Sequence, residues 1–217
     1  MIEATLLYGS KARGDHDRFS DTDLLGISSN GKISKPFDRF GVSFHIYPRG
    51  WLVEQARMGA LFLFHLVQEA KIIYDPLNIF DEIKSEFRLR ESYADQILTG
   101  SQVVLSIMSI NEIKFNNDIR RRYFWGIRTA LMAKGAQLGI PSFSASALER
   151  VSKIDGLALH IQTRETASFA ECKRLGRMVI ECVQSDVGRI ESDGHLHENL
   201  KSGGGLGWVV AREIEYL

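Results

Sequence analysis

The sequence predicts an α/β N-terminal region over residues 1–90, a small mixed sheet with flanking helices, followed by an α-helical region over residues 91–217. Three observations predict this division. Up to about residue 88, short apolar runs of strand length alternate with turn signals such as Gly-Ser and Asn-Gly. Beyond about residue 92, apolar residues recur at three- and four-residue steps, which is the period of amphipathic helices. A chain of 217 residues is also long enough for two modest hydrophobic cores.

Four segments of the first region have the length and composition of strands. They are residues 4–8, 21–28, 41–48 and 71–75. The first ends at Gly9-Ser10, and the last is a short edge strand stopped by Pro76. In the third, apolar side chains face one way and Ser43, His45 and Tyr47 face the other, because successive strand residues point to opposite faces.

Helices are predicted between and after these strands. The stretch after Gly50 is apolar almost all round, which favours one or two helices packed against the sheet, and residues 78–87 have an amphipathic pattern. In the second region, Gly139 and Pro141 stop one long helix and Ser144 caps the next. The glycine-rich segment 202–207 has neither the strand before it nor the acid after it that a dinucleotide-binding loop needs.

Charge and cysteine content exclude several classes of protein. Lys and Arg together number 27, as do Asp and Glu, so no net charge favours binding to nucleic acid or to an anionic membrane. Cys172 and Cys182 would be about 15 Å apart on a shared helix, too far for a disulfide. We expect reduced thiols, no export signal, no membrane-spanning segment and a cytoplasmic location.

The stretch YGSKARGDHDRFSDTDLL, residues 8–25, carries polar residues that a strand pattern does not explain. Asp21 and Asp23 head a predicted strand, although aspartate is a poor strand former. Residues two apart on a strand share a face with their Cα atoms about 7 Å apart, so these carboxylates are aimed at one point. A divalent cation removes their repulsion, and magnesium prefers such oxygen ligands. The alternative is that the two acids only cap and solubilise the end of a strand.

The Gly9-Ser10 pair predicts a phosphate-binding turn. Glycine permits a tight turn and lets a phosphate approach the backbone, while Ser10 offers a hydroxyl and an N–H group. Lys11 and Arg13 add positive charge for the phosphates of a nucleotide. Together with the two aspartates, this turn outlines a site for phosphoryl or nucleotidyl transfer.

The spacing Gly9-Ser10, ten residues, Asp21-x-Asp23 resembles the G-S-x10-D-x-D signature of the polymerase-β-like nucleotidyltransferases, most closely their minimal and kanamycin-type members. The surrounding sequence GSKARG…SDTDLL also resembles that family, strongly over residues 5–28 and more loosely to about residue 75. The resemblance implies that Asp21 and Asp23 hold two magnesium ions. It further implies that a hydroxyl attacks the α-phosphate of an NTP, expected to be ATP, and releases pyrophosphate.

The sequence departs from the family at one position. Family members carry a third acid on the following strand, whereas residues 41–48 contain no carboxylate and His45 stands where that acid is expected. A neutral imidazole can accept a proton but is a poor magnesium ligand. Asp38 and Glu54 are the candidates to supply the missing carboxylate. The other interpretation makes His45 a polar residue on the solvated face of a strand.

The segment DIRRRYFWGIR in the second region combines basic and aromatic residues. They are Arg120, Arg121, Arg122 and Arg128 beside Tyr123, Phe124 and Trp125. An amphipathic helix with an aromatic inner face is the favoured interpretation, and a base-stacking or triphosphate-binding helix is the alternative. Arg189 and His195 fit the spacing of a helical RNase motif, but chance accounts for one such pair.

These expectations add up to an enzyme that transfers a nucleoside monophosphate from a magnesium–NTP complex to a hydroxyl. The acceptor stays open among a small molecule, a protein and an RNA end. One alternative is a catalytically impaired nucleotide-binding or antitoxin-like interaction protein, and another is an RNA-processing protein in which the helical half acts. A homodimer or a toxin-type partner stays open, and no association with a membrane is expected.

Overall fold

A computed structural model of the protein describes residues 1–16, 20–29 and 37–190. The chain divides into two compact units, Met1–Arg90 and Glu91–Leu217. The glycine-rich segment and His195 lie outside the described residues.

The first unit is built on a five-stranded mixed sheet. Its strands are β1 (Ile2–Tyr8), β2 (Thr22–Ser28), β3 (Phe37–Arg39), β4 (Val42–Pro48) and β5 (Lys71–Tyr74). They lie in the order β3-β4-β2-β1-β5, with β2 and β4 parallel and every other neighbouring pair antiparallel. The prediction of a small mixed sheet is therefore confirmed. The second strand begins at Thr22, so Asp21 lies just before it.

Among the described residues of this unit, four helices accompany the sheet: α1 (Gly9–Arg13), α2 (Arg49–Arg57), α3 (Leu61–Glu69) and α4 (Ile79–Glu86). The long apolar stretch after Gly50 forms two helices rather than one. They are separated at Gly59, which has a φ of 63° and lies against the backbone of Arg88, where a side chain would overlap. Only glycine meets both conditions without strain.

The core of this unit lies on one face of the sheet. Alternate residues of β1 and β2 are fully buried there against apolar side chains of α2, α3 and α4. The group comprises Ala4, Leu6, Leu25 and Ile27 from the strands and Leu52, Ala56, Leu63, Leu66, Ile79, Phe80 and Ile83 from the helices. Burial of each larger side chain contributes about 1.5–3 kcal/mol. The same alternation carries Tyr8 and Asp23 onto this face, at the end where β1 stops and β2 starts.

The second unit is helical in its described part. Its helices are α5 (Ala94–Met108), α6 (Asn117–Gln137), α7 (Ala145–Ser152), α8 (Leu157–Gln162) and α9 (Phe169–Val187), with 3₁₀ turns at Glu112–Lys114 and Arg164–Thr166. This confirms the predicted helical C-terminal region. As predicted, α6 ends before Gly139, and the Ser144 side chain caps α7 by accepting from the Ala147 N–H at 3.1 Å.

Both cysteines lie on α9 and are free. Burial raises the pKa of the Cys172 thiol to about 12 and also raises the pKa of Cys182. The raised pKa values keep these thiols protonated at neutral pH. None of the helices in the described part of the chain combines the length and apolar character of a bilayer-spanning segment.

Helices α5 and α6 approach each other closely at two glycines. A Cβ on Gly126 would lie 2.8 Å from the Gly100 carbonyl oxygen, and a Cβ on Gly100 would lie 2.7 Å from the Gly126 carbonyl oxygen. Because the obstructing atoms belong to the backbone, no side-chain movement relieves the overlap. The absence of side chains at these two positions sets the helix spacing in this unit.

Replacing Gly126 by Ala is expected to destabilise the protein by about 1–3 kcal/mol, because the helices must separate to admit the methyl group. The measurement is the free energy of unfolding in urea. The control is Gly50→Ala in α2, where nothing lies within 4 Å of the added Cβ. That change should leave stability equal or raise it by about 0.5–1 kcal/mol. Equal effects of the two substitutions would contradict the backbone-contact explanation.

Candidate functional site

The turn after β1 is held against a carboxylate of β2. Gly9 has a φ of 73°, and a Cβ at this position would lie 2.3 Å from Asp23 Oδ2. The glycine is thus required twice, by its backbone conformation and by the side chain that occupies the space. The Gly-Ser motif and the Asp-x-Asp motif, twelve residues apart in sequence, meet directly in the fold.

Asp21 and Asp23 interact electrostatically. Burial raises the pKa of Asp23, and the negative charge of Asp21 raises it further, while His45, His65 and Arg13 act in the opposite direction. Asp21 is exposed just before β2, whereas Asp23 is half-buried between Tyr8 of β1 and Ser43 of β4. The two carboxylates are therefore close enough for their negative charges to repel.

This pair fits magnesium that arrives with phosphates. The donors are carboxylate oxygens, one of them half-buried, and their mutual repulsion falls when a cation lies between them. Within the described ranges, no three His, Cys, Asp or Glu side chains form a group able to hold a metal ion. Magnesium commonly binds through one or two carboxylates, with waters and substrate phosphates completing its shell. The residues present suit that mode rather than a closed protein cage.

The face of β4 beside Asp23 carries a hydroxyl rather than a carboxylate. Ser43 is the register partner of Asp23, and His45 lies two residues further along β4, opposite Leu25. The Ser43 Oγ and His45 Nε2 atoms are 3.0 Å apart. His45 lowers the pKa of Asp23, so the imidazole lies within electrostatic range of the carboxylate pair although it is not the residue directly beside it.

Of the two acids considered as replacements, Asp38 shares this neighbourhood. It lies on β3 opposite Ser43, and directly paired strand residues share a face. Its charge is one of the causes that raise the pKa of Tyr8, after burial, Asp23 and Tyr47. Glu54 lies on the exposed side of α2. Of these two acids, Asp38 is therefore the one that shares the sheet register of Asp23 and Ser43.

The two predicted cationic residues have partners within the protein. Lys11 Nζ donates to Thr22 Oγ1 at 2.6 Å, beside Asp23 in the chain. Arg13 Nη1 donates to both carboxylate oxygens of Glu69 at 2.8 Å, and its Nε donates to Asp15 at 3.1 Å. The guanidinium expected to meet a nucleotide is therefore engaged with protein carboxylates.

Glu69, at the end of α3, was not predicted from the sequence. Its Oε1 accepts the Gly9 N–H at 3.1 Å and also pairs with His65. Burial would raise the pKa of Glu69, but the hydrogen bond and charge of His65, followed by those of Arg13, lower it overall. With only 7% of its side chain exposed, Glu69 joins the glycine turn, Arg13 and His65 in one network. The one signal in the sequence was a His and a Glu four residues apart on a largely apolar helix.

Aromatic rings line the apolar side of the site. The Tyr47 and Trp51 rings stack with centroids 4.9 Å apart, and the Tyr8 ring packs edge-on against Phe62 and His65 at 6.2 and 6.1 Å. Burial also raises the pKa of Tyr47. Both tyrosines therefore stay protonated at neutral pH, and their hydroxyls can act as hydrogen-bond donors.

The basic-aromatic segment of α6 forms an amphipathic helix. Tyr123 and Phe124 are fully buried, and the Tyr123 hydroxyl donates to the Cys172 carbonyl of α9. Arg120 donates to Asn117 and to the Glu165 carbonyl. These two rings are part of the helical core, which supports the interpretation of this segment as an amphipathic helix. Trp125 is the half-buried aromatic side chain of the segment.

No protein-family model matches this chain, and comparison with curated proteins finds no match. The nucleotidyltransferase resemblance therefore depends on the motif residues and on their arrangement in the fold.

Replacing Gly9 by Ala is expected to destabilise the protein by about 2–4 kcal/mol, because the methyl group meets both an unfavourable φ and the Asp23 carboxylate. Gly14→Ala is the control, since Gly14 has a φ of 82° but nothing within 4 Å of an added Cβ. The difference in free energy of unfolding between the two variants isolates the contact with Asp23. Adding Asp23→Ala should remove most of that difference, and an unchanged difference would contradict this explanation.

Replacing Glu69 by Gln is expected to lower the free energy of unfolding at pH 7 by about 2–3 kcal/mol, because the Arg13 guanidinium loses a largely buried partner. A lowered carboxyl pKa contributes stability above the unfolded value of 4.5, lost as pH falls through the folded pKa. Stability of the wild-type protein should therefore fall more steeply below pH 4.5 than stability of the variant.

The control for this experiment is Glu86→Gln, which removes the charge from an exposed pair with Arg57. Because solvent screens such a pair, little change in stability is expected at either pH. If the two variants lose the same stability at pH 7, the buried network does not stabilise the turn.

Proposed function

We propose that this protein is a magnesium-dependent nucleotidyltransferase of the polymerase-β-like type, which transfers a nucleoside monophosphate from an NTP to a hydroxyl acceptor. The observation that carries the proposal is the packing of the Gly9-Ser10 turn against Asp23, with Asp21 in electrostatic contact. A phosphate-sized ligand at this turn would lie beside the carboxylates that attract its counter-cation.

The residues divide the work of the proposed reaction. Asp21 and Asp23 would hold magnesium, two ions by the family pattern, and the bound metal would neutralise phosphate charge and stabilise the attacking and leaving oxygens. Ser10 would donate to a phosphate oxygen from the half-exposed side of the turn. Lys11, held by Thr22, would add positive charge at the edge of the site.

His45 is the candidate for moving a proton. Its Nε2 contacts the Ser43 hydroxyl, and a neutral imidazole there could accept the proton of an acceptor hydroxyl through Ser43 or directly. Arg13 takes a supporting role in this scheme, because Glu69 and Asp15 already bind its guanidinium. The acceptor stays open among a small molecule, a protein and an RNA end.

A second candidate is a protein that binds the nucleotide without turning it over, including an antitoxin-like partner of a toxin. The observation favouring it is Ser43, which occupies the position on β4 directly beside Asp23. With two carboxylates rather than three next to the substrate, the site would bind magnesium–nucleotide more readily than it would activate an acceptor.

The experiment is a titration of magnesium–ATP binding run beside an assay of pyrophosphate release. Asp23→Asn is expected to lower pyrophosphate release by about 100-fold or more, because the half-buried metal ligand loses its charge. The matched control is Asp81→Asn on the exposed side of α4, which should leave both readouts unchanged. Binding that depends on Asp23 without any release would support the second candidate, and absence of both would contradict the proposal.

Stability shows whether the variant is folded. Because burial and Asp21 raise the pKa of Asp23, its folded form binds a proton more tightly, and stability falls as pH rises through the interval above 3.8. At pH 7 without magnesium, Asp23→Asn should therefore be as stable as the wild type or more stable by up to about 1 kcal/mol. A variant that is inactive and equally stable has lost function rather than fold.

A further inference from the structure

Ser43 carries a hydroxyl at the place where the proposed reaction needs one. It is the register partner of Asp23 on the neighbouring parallel strand, and neighbouring strands are about 4.7–4.9 Å apart. Paired residues share a face of the sheet, so the Ser43 side chain stands beside the carboxylate proposed to hold the magnesium of the nucleotide. This hydroxyl would therefore lie close to the phosphates of a bound NTP.

A proton acceptor is already in contact with this hydroxyl. Ser43 Oγ and His45 Nε2 are 3.0 Å apart, within the distance at which a general base accepts a proton. The imidazole lies parallel to the Tyr47 ring, with centroids 6.3 Å apart and 6° between the planes, and Tyr47 in turn stacks on Trp51. These rings hold the orientation of the base, as a paired nucleophile requires. The electrostatic attraction between His45 and Asp23 favours the imidazolium that forms when His45 takes the proton.

Three neighbouring hydroxyls have less favourable surroundings. Thr22 lies on the opposite face of β2 from the carboxylate, and its Oγ1 accepts a hydrogen bond from Lys11 Nζ. Burial raises the pKa of both the Tyr47 and the Tyr8 hydroxyl, which reduces the acidity that normally favours a phenol as a nucleophile. Ser43, by contrast, contacts a base.

We propose that Ser43 is itself a site of nucleotidylation, to which the chain transfers a nucleoside monophosphate from a bound NTP. The Ser43 Oγ attacks the α-phosphorus, so an O–P bond forms and the bond between the α-phosphorus and the pyrophosphate oxygen breaks. His45 Nε2 takes the hydroxyl proton, and pyrophosphate leaves with the electron pair of the broken bond. The inference rests on the proposed function, because it uses the same nucleotide and the same two aspartates.

This self-modification happens once in each molecule. A phosphodiester on Ser43 fills the space beside Asp23 and removes the hydroxyl, so the modified chain cannot repeat the reaction. Release of pyrophosphate without an added acceptor should therefore stop at about one equivalent per chain.

The first test incubates the full-length protein with magnesium and ATP, without an added acceptor, and locates the adduct by mass spectrometry of the intact chain and its peptides. We expect one AMP group on Ser43, lost in Ser43→Ala and kept on residue 43 in Ser43→Thr, which retains a hydroxyl. The matched control is Ser85→Ala on α4, since this exposed hydroxyl donates to the Glu82 carbonyl and should not affect the adduct. Asp23→Asn and His45→Gln should each slow formation by about 100-fold or more, because they remove a metal ligand and the base.

Magnesium–ATP binding, measured in the same samples, separates this inference from the proposed function. Binding that depends on Asp23 without an adduct on Ser43 overturns the inference and leaves the proposed function standing. An adduct on another residue, or one whose rate is unchanged in His45→Gln, also overturns the inference. Absence of both binding and adduct overturns the two together.

The second test needs neither metal nor nucleotide. If His45 takes the Ser43 proton, Nε2 must be the unprotonated nitrogen of the neutral imidazole and Nδ1 must carry the proton. Nitrogen NMR of isotopically labelled protein, recorded above the ordinary histidine pKa of about 6.5, distinguishes the two tautomers, and the signals lost in His45→Gln assign the residue. An unprotonated Nε2 whose signal shifts in Ser43→Ala supports the inference. A proton on Nε2 would make the serine the acceptor of this hydrogen bond and would overturn it.

Discussion

The contact between the Asp23 carboxylate and the Cα of Gly9 is the constraint on which the candidate site depends. It joins the end of β1 to the start of β2 at a point where no side chain fits on the glycine. The ionised form of Asp23 is costly in this position, because burial and the neighbouring Asp21 both oppose its ionisation. The fold therefore holds the negative charge of Asp23 at a point where a bound cation would lower the cost of ionisation.

The surroundings of this contact partly compensate that cost. Arg13 and His65 favour the ionised form of Asp23, and both are held in place by Glu69. The same carboxylate accepts the Gly9 N–H, so one buried group sets the turn and orients the nearby positive charges. Because a buried charge is costly unless it is paired, Arg13 and Glu69 stabilise each other. The arginine therefore has a structural role in the site.

The polar site and the apolar core share one face of the sheet. Asp23, Leu25 and Ile27 occupy alternate positions of β2 and share one face of the sheet. A carboxylate on this face is therefore followed two residues later by a buried aliphatic side chain. Rings of Tyr8, Tyr47 and Phe62 lie at this transition and separate the carboxylates from the core. The site thus adjoins the apolar core of the unit directly.

The sequence by itself determined the order of the secondary-structure elements, and it predicted that the Gly-Ser and Asp-x-Asp motifs lie close together. Strand-length apolar runs, turn residues and the three- to four-residue period are local, so they predicted the mixed sheet, the helical region and the cap at Ser144. Only the tertiary structure decided which charges meet. Glu69 lies sixty residues from Gly9, and its pairing turned Arg13 from an expected ligand contact into a structural partner. The sheet register likewise placed Ser43, not His45, beside Asp23. Such pairings arise from the packing of segments far apart in the chain, which no local pattern of residues encodes.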